Sequence, residues 1–375
     1  MERITLLLCL LALLALPSYA AAPQVIQSEK ATFELEKVAD GLRIPWGLAF
    51  ISNTQLLITE REGSIKLLDT QSKTLTAVQG APAVLAEGQG GLLDVAVPPD
   101  FTAGDWIYFT FVRNKEDQGV TVLARAKLTS SKLVQWQDLL ETQSATDTGN
   151  HFGSRIAFDE KGYVYFGVGD RGERRNSQDL TNHAGSVMRL YRDGRIPQDN
   201  PFNQRTDVPP EIWSYGHRNP QGMAYDDTHK RLWLIEHGPR GGDEINRVLP
   251  GRNYGWPAIS YGKEYWGPLA VGEGTHREGM EQPIKQYTPS IAPGSLLLYS
   301  GNTFPAWRGN LFAGALKLRH LNRVTLSADG KAIGEERLLT ELDQRIRALT
   351  QSPEGWLYFS TDSGNVYAIR PIGKQ

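Results

Sequence analysis

The sequence predicts an all-β fold, a six-bladed β-propeller of four-stranded antiparallel blades. One unit recurs six times: a short apolar strand, a turn containing Gly, Asp or Asn, and a second strand rich in aromatic and β-branched residues. Such alternation and turn chemistry are typical of β-hairpins. No long segment shows a helical period. Repeats spaced by about 45 to 70 residues leave room for two further strands per unit, which favours the radial sheets of a propeller.

The six hairpins follow one another along the chain. They begin at Trp46 (WGLAF…QLLITE), Gly90 (GGLLDVAV…WIYFTF), Ser154 (SRIAFDEKGYVYFGVGD), Gln221 (QGMAYDDTHKRLWLIEH), Gly294 (GSLLLYS…GNLFAGAL) and Arg347 (RALTQSPEGWLYFSTD). No proline- or serine-rich linker separates them, so we expect residues 23–375 to form one domain. A large sandwich or two barrels is the alternative architecture.

Residues 1–22 are predicted to be a signal peptide. Arg3 precedes an apolar run over residues 4–16, and small residues up to Ala22 offer a cleavage site. The run is short for a membrane span of about 20 residues, so no stable membrane insertion is expected, although an uncleaved anchor is the alternative. Cys9, the only cysteine, lies in this run, and the mature chain would hold no disulfide. Export without disulfides favours the bacterial periplasm.

The overall charge is nearly balanced. The chain has 40 Lys and Arg against 42 Asp and Glu, a formal net charge of −2, and no long block of either sign. A general nucleic-acid or membrane-surface binder needs an excess of positive charge on one face, so we expect neither kind of partner.

Antiparallel hairpins predict where a functional site lies. The start of the first strand and the end of the second strand share one rim of the sheet. The chemically unusual residues occur at those two positions; they are Gln89, His151, Arg218, Ser290, Arg345 and Arg347 at the starts, and Asp170, residues 237–239, Lys317 and Asp362 at the ends. We therefore expect a pocket at the rim that faces the channel.

Two groups at this rim suggest chemistry. His151 and Asp170 flank the third hairpin, where a carboxylate could orient the imidazole as a general base, or the pair could simply cap the hairpin. The cations Arg218, Lys317, Arg345 and Arg347 would suit a ligand with several negative charges, or could form ordinary surface ion pairs.

Residues 238–244 form a Gly-rich loop that can turn carbonyl oxygens outward, and oxygen atoms are the ligands that calcium prefers. Glu244, together with the NYGWP segment at residues 253–257, could hold an ion or brace a long loop. The sequence contains no HExxH, Walker glycine pattern or GxSxG elbow, so zinc, phosphate-loop and serine-hydrolase sites are not supported.

Several motifs resemble a known family. PWGLAF, LLITEREGSI, EGQGGLLDVAVPPDF, HFGSRIAF, GVGDRG, SYGHRNPQGMAY, EHGPRGGDEIN and GRNYGWP are similar, in this order, to segments of the soluble pyrroloquinoline-quinone-dependent sugar dehydrogenases, especially the periplasmic aldose sugar dehydrogenases. The resemblance covers nearly the whole mature chain. It implies a six-bladed propeller that oxidises an aldose at the anomeric carbon to a lactone by hydride transfer to the quinone, which an external electron acceptor reoxidises.

The resemblance also implies roles for individual residues. His151 corresponds to the general base, Asp170 to the acid that orients it, and Arg218 to the group that stabilises charge on the cofactor oxygen. The implied cofactor contacts are Gln89, Arg218, Asn219, Ser290, Lys317, Arg345 and Arg347. Main-chain oxygens of Gly238 and Pro239 correspond to ligands of a calcium ion at the cofactor. Glu244 and Tyr254 correspond to a second, structural calcium site.

One motif departs from the family pattern. Glucose-preferring relatives carry a tryptophan before the first proline of their WPTxAP segment, where this chain has Tyr287. A stacking residue for the sugar is therefore missing, or is supplied by Tyr287, Tyr261, Tyr265 or Trp266, which favours a broader aldose range. The loop at residues 172–178 aligns poorly and receives no role. The competing hypotheses are a non-catalytic binding propeller and a calcium-dependent lactonase-type hydrolase; the oligomeric state is not predicted.

Overall fold

The computed structural model describes residues 23–373 and contains six antiparallel sheets that form a ring. The prediction of an all-β, six-bladed propeller is confirmed. The predicted signal peptide at residues 1–22 lies outside the described residues. Helical structure within residues 23–373 is limited to three short 3-10 helices, Arg174–Gln178, Pro305–Trp307 and Thr340–Leu342. None of the helices in this range is long and apolar enough to cross a membrane.

The strands follow the predicted order. Two of them precede the first blade, β1 (Gln24–Gln27) and β2 (Thr32–Ala39). Blade 1 contains β3 (Pro45–Phe50), β4 (Gln55–Glu60), β5 (Ile65–Asp69) and β6 (Thr74–Val78); blade 2 contains β7 (Leu92–Ala96), β8 (Trp106–Lys115), β9 (Gln118–Thr129) and β10 (Lys132–Glu141). Blade 3 contains β11 (Ile156–Phe158), β12 (Tyr163–Val168), β13 (Ser186–Tyr191) and β14 (Ile212–Tyr215); blade 4 contains β15 (Pro220–Asp226), β16 (Arg231–Glu236), β17 (Asp243–Val248) and β18 (Lys285–Tyr287). Blade 5 contains β19 (Pro293–Leu298), β20 (Leu311–Ala315), β21 (Leu321–Leu326) and β22 (Ala332–Leu338); blade 6 begins with β23 (Ile346–Gln351), β24 (Leu357–Thr361) and β25 (Val366–Arg370).

The two ends of the chain meet in blade 6. Strand β2 pairs antiparallel with β25, with Leu35 opposite Ile369, and so supplies the fourth strand of that blade. Strand β1 then pairs with β2 as a fifth, outer strand, which the four-stranded pattern did not predict. Because the last blade is completed by the first strands, backbone hydrogen bonds lock the ring closed and remove an open edge.

Apolar side chains pack between neighbouring blades. Tyr108 of blade 2 meets Phe158 of blade 3 edge to face, with ring centroids 4.9 Å apart. Phe50 of blade 1 meets Tyr358 of blade 6 in the same way, also at 4.9 Å. Such pairs add to the burial of both sheet faces, so each blade is stabilised mainly by its two neighbours.

Arg155 is buried on the axis of the ring and bonds to every other blade. From blade 3 it donates to the carbonyl oxygens of Trp46 (3.0 Å), Gln221 (3.0 Å), Gly294 (2.6 Å) and Arg347 (2.9 Å), and to Asp94 Oδ1 (2.8 Å). A guanidinium has five N–H donors, so these five bonds satisfy the group completely. The charge is balanced by Asp94, and the guanidinium carbon lies 3.9 Å from the centroid of the Trp46 ring.

We predict that replacing Arg155 with Met lowers the free energy of unfolding by about 3–5 kcal/mol, because Asp94 would remain buried without its partner. Urea unfolding followed by circular dichroism measures the change. The matched control is Arg277→Met, which removes an exposed arginine paired with Glu273 and should change stability by less than about 1 kcal/mol. Equal, small effects of the two substitutions would contradict the central role of Arg155.

Candidate functional site

The channel opens into a cavity at each end, and only one collects the predicted residues. The larger cavity, about 670 Å³, lies where the first strands of the blades end, and none of the predicted site residues lines it. The smaller cavity, about 290 Å³, lies at the predicted rim and receives residues from all six blades. Its polar lining includes Arg61, Gln89, Gln221, His237, Arg345, Arg347 and Asp362. We therefore take this cavity, called the rim cavity below, as the candidate site.

His151 and Asp170 are in contact beside the rim cavity. His151 Nδ1 lies 2.5 Å from Asp170 Oδ1, and Gly172 N donates to the same oxygen at 2.8 Å. Burial opposes ionisation of Asp170, but the hydrogen bond and charge of His151, together with Arg218, lower the pKa of this carboxyl. An ionised carboxylate can only accept, so the proton of a neutral His151 lies on Nδ1 and Nε2 is left as a base.

The backbone around His151 is held by its neighbours in the ring. His151 adopts a left-handed conformation with a φ of 55°, and its N–H donates to Gln89 Oε1 at 2.9 Å. Asp170 N donates to the carbonyl oxygen of Arg218 at 2.8 Å. Gln89, His151, Asp170 and Arg218, which the sequence places on three blades, therefore form one continuous group.

Arg218 joins this group to the loop that carries Gly238. Its guanidinium donates to the carbonyl oxygen of Gly238 at 2.8 Å, and its backbone N–H donates to Glu236 Oε2 at 2.6 Å. The Gly238 oxygen is one of the predicted calcium ligands, and here it faces a cation. The nitrogen Nε of Arg218 is buried without a hydrogen-bond partner among residues 23–373.

His237 shows how closely the blades converge. Its Nε2 lies 2.6 Å from the carbonyl oxygen of Pro293, so this nitrogen carries the proton. Burial lowers the pKa of His237 to about 3, and the charges of Arg218 and Arg347 add to the shift. His237 is therefore neutral, and arginines from blades 4 and 6 lie near it. By contrast, His217 is fully buried and uses both ring nitrogens, on Ser214 and Glu236.

Arg345 and Arg347 share a carboxylate partner. Arg345 Nε and Arg347 Nε donate to the two oxygens of Asp362, each at 2.8 Å. Of the two interpretations of these cations, a ligand with several negative charges or ion pairs, Arg345 and Arg347 thus show an ion pair with Asp362. Burial opposes ionisation of Asp362, but Arg347 and then Arg345 lower the pKa of its carboxyl. Asp362 therefore holds both guanidinium groups in place.

The rim cavity nevertheless keeps an excess of positive charge. Arg61 also lines it, which gives three guanidinium groups against the single carboxylate of Asp362. Arg61 Nη1 donates to the Gly88 carbonyl oxygen at 2.6 Å, and its Nε is buried without a partner in the described chain. Lys317 is exposed, and its backbone N–H donates to the Ile291 carbonyl oxygen at 2.9 Å.

The remaining predicted cofactor contacts occupy different positions. Asn219 is fully buried, and its Nδ2 has no partner within residues 23–373. The hydroxyl of Ser290 instead donates to Asp243 at 2.7 Å. Asp243 also accepts from Gly238 N at 2.9 Å, so Ser290 acts on the loop that presents Gly238 and Pro239.

Glu244 lies beside a second carboxylate. Glu236 and Glu244 both accept from Asn246 Nδ2, at 3.1 and 3.2 Å, and both line a small cavity of about 20 Å³ together with Tyr254. Burial raises the pKa of Glu244 to about 8, and the charge of Glu236 adds to the shift. The hydroxyl of Tyr254 is used locally, since it donates to the Arg247 carbonyl oxygen at 2.6 Å.

No group of three or more His, Cys, Asp or Glu side chains that could hold a metal occurs in residues 23–373. An ion at Glu244 would therefore need main-chain or water oxygens to complete its ligands.

The four aromatic candidates for sugar stacking differ in exposure and in hydrogen bonding. Tyr287 is buried and donates to Asn322 at 2.7 Å, and the hydroxyl of Tyr261 bonds to Gln282 at 2.9 Å. Tyr265 is 63% exposed and Trp266 is 74% exposed.

The loop that carries Tyr265 and Trp266 is fixed beside the site. The hydroxyl of Tyr265 lies 3.5 Å from Arg218 Nη2. Glu264 accepts two hydrogen bonds from Arg174, at 2.6 and 2.7 Å. The loop at residues 172–178, which the sequence left without a role, thus anchors the exposed aromatic pair.

Sequence reasoning missed three residues of the site. Arg61 and Glu236 lie where the second strand of a hairpin ends, as Asp170 and Asp362 do. The strand-end rule that predicted those two residues therefore applies to Arg61 and Glu236 as well. Trp256 donates from Nε1 to Asp170 Oδ2 at 2.8 Å. It lies in the connection between β17 and β18, and no rule of strand position indicates it.

We predict that replacing Asp362 with Asn lowers the free energy of unfolding at pH 7 by about 1–3 kcal/mol, because hydrogen bonds from two charged groups are lost. The pKa of Asp362 is lowered in the folded state. Its stabilising contribution is therefore complete above the unfolded-state pKa of about 3.9 and disappears as the pH falls through the folded-state value.

Urea unfolding of the wild type and of Asp362→Asn should accordingly give values that converge as the pH falls below about 4. Asp207→Asn, which removes an exposed carboxylate paired with Arg205, is the control and should change little. A loss of stability that does not depend on pH would contradict the charge pairing.

Three comparisons with known proteins identify the family. The family model for glucose/sorbosone dehydrogenase matches residues 42–369. The chain is 40% identical over 351 residues to the aldose sugar dehydrogenase YliI of Escherichia coli, covering 91% of this chain and 94% of the relative. The apo-form crystal structure of the soluble aldose sugar dehydrogenase from Escherichia coli aligns with a TM-score of 0.86 at 39% identity, covering 90% of this chain and 99% of that chain. The structure of the aldose sugar dehydrogenase from Streptomyces coelicolor in its form with bound pyrroloquinoline quinone (PQQ) aligns with a TM-score of 0.73 at 26% identity. The alignment covers 90% of this chain and 98% of that chain. The chain belongs to the glucose/sorbosone dehydrogenase family.

Proposed function

We propose that this protein is a sugar dehydrogenase that oxidises aldoses at the anomeric carbon to lactones, with hydride transfer to bound pyrroloquinoline quinone and an external electron acceptor. The observation that carries the proposal is the His151–Asp170 pair, which stands beside a rim cavity with an excess of guanidinium groups. Membership of the family and the quinone bound to the Streptomyces coelicolor relative support it.

The residues of the rim cavity fit a cofactor with three carboxylates. Arg345, Arg347 and Arg61 supply positive charge, and Gln89 supplies a polar amide. Buried donors without partners among residues 23–373 occur at Arg61 Nε, Arg218 Nε and Asn219 Nδ2, and an unpaired buried donor is costly unless a ligand satisfies it. Lys317 and Ser290 remain predicted contacts. When bound, the quinone supplies the two-electron acceptor that protein side chains lack.

His151 is proposed as the general base. Its Nε2 accepts the proton of the anomeric hydroxyl, while Nδ1 remains bound to Asp170 and the resulting imidazolium is stabilised by that carboxylate. Because Asp170 is buried and ionised, it accepts from Nδ1 and keeps the imidazole oriented. Arg218 supplies fixed positive charge where negative charge develops on the acceptor oxygen.

Calcium is proposed at two positions. Main-chain oxygens of Gly238 and Pro239 would hold one ion at the cofactor, where a divalent cation acts as a Lewis acid. The contact between the Gly238 oxygen and the Arg218 guanidinium shows that this oxygen is presented to a positive charge. Glu244, with its neighbour Glu236 and with Tyr254 on the same small cavity, would hold the second, structural ion.

The proposed location of the protein is the periplasm. The predicted signal peptide implies export to the periplasm, where the aldose and an external acceptor would meet the rim. Tyr265 and Trp266 are the exposed aromatic faces available to a sugar ring, and their exposure supports a broad range of aldoses.

Reconstitution tests the function directly. Purified apoprotein should reduce an artificial dye in the presence of an aldose only after pyrroloquinoline quinone and calcium are added. The assay should cover a panel of aldoses, because the preferred sugar is not fixed by the residues described. Saturating quinone with calcium and no dye reduction with any aldose would overturn the proposal.

We predict that His151→Ala lowers kcat by about 10²- to 10⁴-fold, the range that a general base contributes, while the dissociation constant for the quinone changes only a few-fold. Steady-state kinetics and quinone titration monitored by absorbance measure the two effects. His229→Ala is the matched control, because His229 pairs with a carboxylate far from the rim and is exposed. Weak quinone binding with normal turnover at saturation would contradict the assignment.

We predict that calcium raises the Tm of wild-type apoprotein and that Glu244→Gln loses part of this rise, because only the folded state holds the ion. Since the raised pKa of Glu244 makes its ionisation unfavourable, stability without calcium should fall between about pH 4.3 and pH 8 in the wild type and less so in the variant.

Thermal unfolding with calcium or with chelator, at pH 6 and pH 8, tests both effects. Glu116→Gln, which neutralises an exposed carboxylate in a hairpin turn, is the control. A Glu244→Gln variant with the full calcium response would contradict the site.

A further inference from the structure

We propose that Trp256 is a positioning residue for the proposed reaction, holding Asp170 through its indole N–H and Arg218 through its ring. The inference rests on the proposed function for its kinetic consequences and on geometry for its structural part. Trp256 lies outside every strand, in the connection between β17 and β18, and its side chain is buried. Its ring system contacts both of these residues.

The indole N–H completes the environment of the Asp170 carboxylate. Oδ1 accepts from His151 Nδ1 at 2.5 Å and from Gly172 N at 2.8 Å, whereas Oδ2 accepts from Trp256 Nε1 at 2.8 Å. Without Trp256, Oδ2 would be a buried acceptor lacking a donor within residues 23–373. A carboxylate held at both oxygens cannot rotate about its Cβ–Cγ bond, so Oδ1 stays aligned with His151.

The ring of Trp256 faces two cations. The guanidinium carbon of Arg218 lies 5.2 Å from the ring centroid, and that of Arg174 lies 5.5 Å away. Both distances are within the range of cation–π attraction. Arg174 is tied in turn to Glu264, so the ring contributes to the position of Arg218 and of the loop that carries Tyr265.

The backbone of Trp256 is fixed by blade 3 rather than by its own blade. Its N–H donates to the Gly216 carbonyl oxygen at 2.9 Å, and its carbonyl oxygen accepts from Gln178 Nε2 at 2.7 Å. The indole therefore lies at the boundary between blades 3 and 4, and these backbone hydrogen bonds fix its position. This arrangement suits a group that orients others without contacting the substrate.

Charged groups around Asp170 define what a titration would detect. His151 and Arg218 face the carboxylate and lower its pKa, and the guanidinium groups of Arg171 and Arg174 lie close enough to sense its charge. None of these groups is altered by a substitution at Trp256 that preserves the ring. A change in the titration of Asp170 would thus report the lost N–H donor.

The experiment compares Trp256→Phe, which keeps an aromatic ring and removes the donor, with Trp256→Leu, which removes both. Nuclear magnetic resonance of carboxyl carbons in cofactor-free protein should show the pKa of Asp170 raised by about one unit in Trp256→Phe, since one hydrogen bond to the charged form is lost. In the reconstituted enzyme, kcat should fall about tenfold in Trp256→Phe and further in Trp256→Leu, with KM for the aldose nearly unchanged.

Trp136→Phe is the matched control, because Trp136 also donates from Nε1 to a carboxylate, Asp138 Oδ1 at 3.0 Å, but lies on the outer strand of blade 2, so its Asp170 titration should equal that of the wild type. Benzothienylalanine at position 256 keeps the shape of the indole and removes only the N–H, so it serves if Trp256→Phe does not fold. An unchanged Asp170 titration and unchanged kcat would overturn the inference. Inactive wild-type enzyme with a shifted titration would instead refute the function and retain the positioning of Asp170.

Discussion

The guanidinium of Arg155 sits where six sheets converge, and the arrangement of the ring depends on it. The first strand of each blade has an inner edge with no neighbouring strand, and its carbonyl groups on the channel axis need donors. Arg155 satisfies four such carbonyl oxygens and the carboxylate of Asp94, one partner from each of the other five blades. The residues Trp46, Gln221 and Arg347 accept hydrogen bonds from Arg155 through their carbonyl oxygens and also line the rim cavity. The network around Arg155 therefore supports the floor of the candidate site.

Ring closure explains why the site can be rigid although its residues lie on loops. Several rim residues lie on long connections, such as residues 142–155 and 169–185. Hydrogen bonds nevertheless link them: from His151 to Gln89, from Asp170 to the Arg218 carbonyl and from Arg218 to the Gly238 carbonyl. The pairing of β2 with β25 closes the ring and prevents the blades from separating. Groups that are fixed before a ligand arrives need little reorganisation, which favours electrostatic stabilisation.

Each buried carboxylate of the site accepts from several donors, with the exception of Glu244. Asp362 holds Arg345 and Arg347, Asp170 holds His151, and Glu236 accepts from His217 and from the backbone of Arg218. Glu244 has only an amide donor beside a second carboxylate, and its pKa is raised to about 8. A buried carboxyl without a cation is unfavourable when ionised, so the exception marks the position where an added cation would be most stabilising.

The architecture was predictable from the amino-acid sequence, because hairpin alternation, turn residues and a six-fold repeat can be recognised without knowledge of tertiary contacts. The sequence also placed His151, Asp170, Arg218, Arg345 and Arg347 at one rim, because antiparallel pairing fixes which strand ends meet. It did not predict the outer strand β1, the pairing of two arginines with Asp362, or the neighbour that Glu244 has in Glu236. Trp256 and Asp170 are 86 positions apart, and Arg155 and Arg347 are 192 apart. Contacts of that kind depend on the curvature of the ring and on the paths of loops between blades, and neither can be read from local sequence patterns.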